Sequence, residues 1–207
     1  VVAGEEEIRG LAQLAADRRV ALLSDEIYRQ FCYDDPFVSP ARFNEQTIVV
    51  DGFSKSHAMT GWRLGFGVMP EELAAKVGLL LTHSVGCTAA FTQAAGIEAL
   101  SGPQEPVEMV RREYQGRRDL IVAGLNEIPG VSCQMPQGAF YVFPNVKSFG
   151  RTSNELADYL LEEAGVAVLP GSAFGRYGEG YVRLTYSNSS EQIRRALDKM
   201  AYALGRL

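Results

Sequence analysis

The chain has 207 residues, 46% hydrophobic and 22% charged, with 20 basic against 25 acidic side chains for a net charge of −5. This is the composition of an ordinary folded protein, and it excludes a disordered or collagen-like chain. No apolar run approaches the roughly 20 residues of a membrane span, and the mild acidity with no Lys/Arg cluster argues against a nucleic-acid partner.

The N-terminal stretch VVAGEEEIRG has three consecutive acids and no basic region ahead of an apolar one, so it reads as neither a secretory nor a transit peptide. Three cysteines, Cys32, Cys87 and Cys133, show no CxxC spacing and suit a reducing cytoplasm. His57 and His83 stand in no zinc or hydrolase pattern, and no metal site is expected.

In chain order, Glu5 to Arg18 reads as an amphipathic helix with Ile8, Leu11, Ala12 and Leu14/Ala15 on one stripe and acids in its first turn. Val20 to Ser24 is a short apolar run that breaks into the polar Asp25, Glu26 and Tyr28, and Thr47 to Lys55 repeats that form. Both read as buried strands with polar far ends. Arg63 to Met69 is a third strand, and Pro70 with Glu71 and Glu72 opens a helix. The spacing predicts helices over Leu73 to Leu81, Ala89 to Leu100 and Glu105 to Glu127, the last ended by Ile128, Pro129 and Gly130. Beyond it come strands at Val131 to Gln134 and Ala139 to Phe143, a helix at Ser153 to Ala164, strands at Val166 to Leu169 and Tyr181 to Tyr186, and a final helix. Ser189 and Gln192 have capping-box spacing at that helix's start. The order implies an α/β lobe over residues 1–115 and a smaller α+β lobe over 116–207. The first lobe looks incomplete, because it opens on a helix and supplies only three strands.

Lys55 lies just beyond the second strand among small residues, and Arg63 follows eight positions later. Alone, such a lysine reads as a solvated surface residue. Together with its surroundings, GFSKSHAMTGWRLG (Gly52 to Gly65) resembles the pyridoxal-phosphate attachment motif of the class I/II, fold type I, aminotransferases. The resemblance implies that Lys55 holds pyridoxal 5'-phosphate as an imine and serves as the catalytic amine. It also implies that the planar fork of Arg63 clamps the phosphate.

SDEIY (Ser24 to Tyr28) is similar to the family's pyridine-binding segment. Asp25 would then pair with the ring nitrogen and Tyr28 with the phenolic oxygen. On its own the segment reads equally as an acidic helix start. GEGYVRLTYSNS (Gly178 to Ser189) alternates so that Arg183 faces away from Val182 and Leu184. Unaided it is an edge-strand arginine, and the resemblance makes it the residue that grips the substrate's α-carboxylate.

The resemblance covers nearly the whole chain but only the C-terminal half of a family member. It implies a partial large domain with a mixed, mainly parallel sheet (1–115), a small α+β domain (116–207), a homodimer and a cytoplasmic location. Gly52 stands where some members carry a phosphate-binding serine, which leaves any hydroxyl contact to Ser54. HSVGCTAAFTQ (His83 to Gln93) has no arginine to hold a side-chain carboxylate, so the resemblance favours a monocarboxylic or hydrophobic amino donor. The implied activity is transfer of an amino group between an amino acid and a 2-oxo acid. The alternatives are a carbon–sulfur lyase of the same fold and a truncated, non-catalytic homologue.

Overall fold

The structure is a computed structural model that describes residues 2–207. It divides into two compact units, Val1–Arg111 and Arg112–Leu207, with the boundary inside the longest helix. Each unit is described by itself.

Helix α1 (Glu5–Arg18) opens the first unit, its three acids set against the positive end of the helix dipole and the Glu7 carboxylate accepting from the Gly4 N–H at 2.9 Å. Its packing face is narrower than the predicted stripe: Ala12 is fully buried, but Leu11 and Leu14 are half exposed. The reason lies in what the helix leans on. Asn44 Nδ2 donates to the Ala12 carbonyl at 3.3 Å and the Arg9 guanidinium covers the Phe43 ring at 4.4 Å, so the Arg9–Ala12 side faces the chain.

Three strands follow: β1 (Leu23–Asp25), β2 (Ile48–Gly52) and β3 (Gly65–Val68). They form one sheet in that order, mixed in sense, with β1 parallel and β3 antiparallel to β2. Asp25 lies opposite Val50 and Gly52 lies opposite Gly65. This register puts the carboxyl ends of β1 and β2 and the start of β3 at one edge. Helices α2 (Glu71–Ser84) and α3 (Ala90–Ser101) come next. They leave Leu79, Leu80, Val85, Phe91, Ile97 and Leu100 exposed. Then α4 (Glu105–Glu127) crosses the unit boundary.

The second unit is built on an antiparallel sheet of order β4-β6-β5, made of β4 (Tyr141–Val142), β5 (Leu169–Pro170) and β6 (Val182–Thr185). Helices α5 (Ser153–Ala164) and α6 (Ser190–Leu204) accompany it. Its core is Leu125, Leu156, Leu160, Val182, Tyr186 and Met200, all nearly inaccessible. Burial of that many large apolar side chains, at about 1.5–3 kcal/mol each, is the main term holding the unit together. The strands are shorter than their apolar runs. Val131 to Gln134 forms only a single bridge, Ser132 to Asn145, because the Asn126 side chain takes both backbone groups of Cys133, at 2.8 and 2.9 Å. Of the predicted Val166 to Leu169 strand only Leu169 enters a ladder, opposite Arg183. Ser189 Oγ caps α6 by accepting from the Gln192 N–H at 3.2 Å, as its spacing predicts.

Among the described residues no helix is long and apolar enough to cross a membrane, and no group of three or more His, Cys, Asp or Glu side chains could hold a metal ion.

Candidate active site

In the first unit, the candidate residues gather at one edge of the sheet because the strands deliver them there. Asp25 is the last residue of β1, and Lys55 lies three residues past the end of β2, half-buried on a turn. Arg63 lies two residues before β3, which starts beside the end of β2. The carboxyl ends of parallel strands are where open α/β sheets bind ligands, since the chain there leaves the sheet and exposes polar groups.

Each side chain is held by local contacts. Asp25 is exposed and its Oδ1 accepts from the Ile27 N–H at 3.2 Å, which steadies the carboxylate. Tyr28, half-buried, begins the turn Arg29–Phe31. That turn is tied to β2 by Arg29 Nε on the Asp51 carboxylate at 2.5 Å, and Asp51 is itself largely buried and also accepts from the Gly52 N–H at 2.6 Å. The Asp25–Tyr28 segment and the strand leading to Lys55 are thereby locked to each other.

The loop from Lys55 to Arg63 is unusual in its backbone. Ala58 and Arg63 both adopt left-handed conformations at φ 53°, which non-glycine residues enter at a cost of about 1 kcal/mol or more. His57 anchors the loop to α3. Its Nε2 donates to the Ala99 carbonyl at 3.1 Å, which requires the tautomer in which Nδ1 accepts from Ser56 Oγ at 2.8 Å. Ser54 is half-buried beside Lys55.

Arg63 Nη1 donates to the Thr60 carbonyl at 2.9 Å, and the guanidinium has no ion pair among the described residues. It borders a cleft of about 820 Å³ lined also by Trp62, Cys87, Thr88 and Phe91. A Cβ at the buried Gly52 would stand 3.0 Å from the Leu64 carbonyl oxygen and 3.1 Å from Gly65 Cα, so the strand pair is too close there to seat a hydroxyl without shifting backbone.

In the second unit, Arg183 projects from β6, half-buried, with its guanidinium carbon 4.6 Å from the Tyr141 ring centre and 4.2 Å from that of Phe174. It forms no ion pair among the described residues. Sequence reasoning missed those two rings, as it missed His57 as an anchor. The only available signal was the repeated small-residue–Phe pattern in GAFY and SAFG, which reads as strand and turn.

A model of the class I and II aminotransferase family matches residues 1–200. The chain belongs to that family. It is 42% identical over 206 residues to the aspartate aminotransferase of Pyrococcus horikoshii, covering 97% of this chain and 52% of that protein. It is 40% identical over 206 residues to aromatic-amino-acid aminotransferase 2 of Thermococcus litoralis, covering 97% and 53%. Among solved structures, the aromatic aminotransferase of Pyrococcus horikoshii superposes with a TM-score of 0.94 at 37% identity, covering all of this chain and 57% of that one. An aspartate aminotransferase of Thermus thermophilus superposes with a TM-score of 0.90 at 38% identity, covering 97% and 52%. The chain thus spans about half the length of the relatives it matches.

The donor set suits the family's cofactor. A primary amine can bond to an aldehyde carbon, a carboxylate can face a ring nitrogen, and a guanidinium without a carboxylate partner can meet a phosphate. Lys55, Asp25 and Arg63 supply those groups from one sheet edge, with the Tyr28 phenol and the Ser54 hydroxyl on the same two connecting segments.

Proposed function

We propose that the full-length protein transfers an amino group between an amino acid and a 2-oxo acid, using pyridoxal 5'-phosphate held by Asp25, Tyr28, Ser54, Lys55 and Arg63. The observation that carries this reading is the delivery of a carboxylate, an amine and a guanidinium to one end of a single three-stranded sheet. When bound, the cofactor supplies an electron sink that makes the substrate Cα–H acidic.

The chain's own residues do the rest. Lys55 Nζ would be the point of covalent attachment and, as a free amine, would take the proton from the substrate Cα. The Asp25 carboxylate, steadied by the Ile27 N–H, accepts a hydrogen bond from the ring nitrogen. Arg63 and Ser54 hold the phosphate, and the Tyr28 phenol donates to the ring oxygen. Arg183 receives the substrate's α-carboxylate edge-on as a two-pronged pair.

The relatives' names range over aspartate and aromatic amino acids, so amino transfer is the common element, and it favours a transaminase over a carbon–sulfur lyase. On this reading residues 1–115 belong to the large domain and 116–207 to the small one, in a cytoplasmic homodimer.

Borohydride reduction of the full-length protein followed by peptide mapping tests the assignment. The cofactor is expected on Lys55; an unmodified Lys55, or label on another lysine, refutes it.

A further inference from the structure

Arg183 sits inside a continuous stack of side chains in the second unit. The Tyr141 ring lies against its guanidinium at 4.6 Å and the Phe174 ring at 4.2 Å. Phe174 meets Phe143 edge-on at 6.0 Å, Phe143 stacks on Tyr181 at 5.3 Å with their planes 12° apart, and Lys147 Nζ closes the row 4.9 Å from the Tyr181 ring.

The two rings that touch Arg183 come from opposite flanks of β6. Tyr141 is on β4, opposite Thr185, whereas Phe174 ends the turn Gly171–Phe174 that follows β5, where Leu169 lies opposite Arg183. Both ring-bearing segments are pinned. The Tyr186 hydroxyl donates to the Ala139 carbonyl at 2.9 Å, just ahead of Tyr141, and the Gly171 N–H donates to the Tyr181 carbonyl at 2.8 Å.

We propose that Tyr141 and Phe174 are positioning residues that clamp the faces of Arg183, so that its N–H edge alone is offered to a ligand and only a planar, two-oxygen carboxylate approaching in the guanidinium plane makes both hydrogen bonds. Recognition of the α-carboxylate is then a property of three side chains. The physical basis is twofold: ring faces attract the cation, and they hold a long, flexible side chain in one orientation before the ligand arrives. This proposal rests on the reading of Arg183 as the carboxylate-binding residue.

The test uses the full-length protein with Phe174→Leu, Tyr141→Leu and Tyr141→Phe. Each leucine variant is expected to raise KM for an amino acid donor such as L-alanine by about tenfold, with kcat kept within about twofold, while Tyr141→Phe, which keeps the ring, recovers most of the loss. A second readout does not need turnover. Phenylglyoxal labelling of Arg183, followed by peptide mass spectrometry, should be slow in the wild type and slower still with acetate present. Both leucine variants should label faster and lose the acetate protection.

Unchanged KM and unchanged labelling in both leucine variants overturn the clamp, as does a Tyr141→Phe variant as impaired as Tyr141→Leu. A wild type that fails to transaminate, yet still shows ring-dependent acetate protection of Arg183, overturns the proposed activity and upholds the clamp.

Discussion

Gly171 begins the turn that carries Phe174, and it meets another glycine backbone to backbone. A Cβ at position 171 would stand 2.1 Å from the Gly178 carbonyl oxygen and 2.6 Å from that of Tyr181; a Cβ at 178 would stand 1.9 Å from the Gly171 oxygen. These are backbone atoms, so no rotamer change relieves the overlap. Gly171→Ala must instead part the Gly171–Phe174 turn from the Arg176–Gly178 turn, and the 2.8 Å bond from the Gly171 N–H to the Tyr181 carbonyl goes with it. Overpacking of about 1–3 kcal/mol plus about 1 kcal/mol for the lost hydrogen bond gives a destabilisation of about 3 kcal/mol.

Gly116→Ala is the opposite case. It lies inside α4 with no atom within 4 Å of the added carbon, so helix propensity alone should make it stabilising by about 0.5–1 kcal/mol. Urea unfolding of the full-length variants, followed by circular dichroism with m-values compared, measures both. A Gly171→Ala protein within about 0.5 kcal/mol of wild type would refute the reasoning.

Two further outcomes follow from the described geometry. Asp25→Asn keeps an oxygen to accept the Ile27 N–H but removes the charge, so turnover should fall by at least about a hundredfold with the fold intact. Near wild-type turnover in single-turnover assays would return Asp25 to a purely local role. Burial pushes the Cys133 thiol from 9.0 up to about 11, so it should resist thiol reagents at pH 8 in the native protein and react once urea unfolds it. Because the unfolded thiol ionises first, this group's contribution to stability is present below about pH 9 and is lost as pH rises towards 11, which denaturation midpoints across that range would show.

How much of this was legible in sequence depended on the range of the interactions concerned. Helices α1, α4 and α5 begin and end where their patterns place them, because acids, capping residues and terminal glycines act within a turn or two. One cap escaped notice: Thr152 and Glu155 form a reciprocal capping box on α5. Strand lengths were less legible. A ladder needs partners, and Asn126 takes those of Cys133 from a helix seven residues away.

The same holds for the site. Lys55 and Arg63 share one short connection, so the whole stretch that resembles the family's attachment motif is contiguous in sequence and legible there. The two rings on Arg183 come from β4 and from the turn after β5, about thirty residues apart in sequence, and a short pattern such as GAFY or SAFG does not show that they meet on one arginine. Asp51, a strand residue with no motif, proves to be the buried partner of Arg29 and joins the two connections that carry the candidate residues.

The left-handed residues at positions 58 and 63 have an evolutionary consequence. Between Lys55 and Arg63 the chain is a ruler: Ala58 and Arg63 set two sharp changes of direction, His57 nails the middle to α3, and Gly52 with Gly65 closes the base. The reach from amine to guanidinium is therefore encoded in the number of residues more than in their identity. Drift in side chains across this loop is tolerable wherever those two bends survive, whereas insertion or deletion of one residue rotates Arg63 out of register with Lys55.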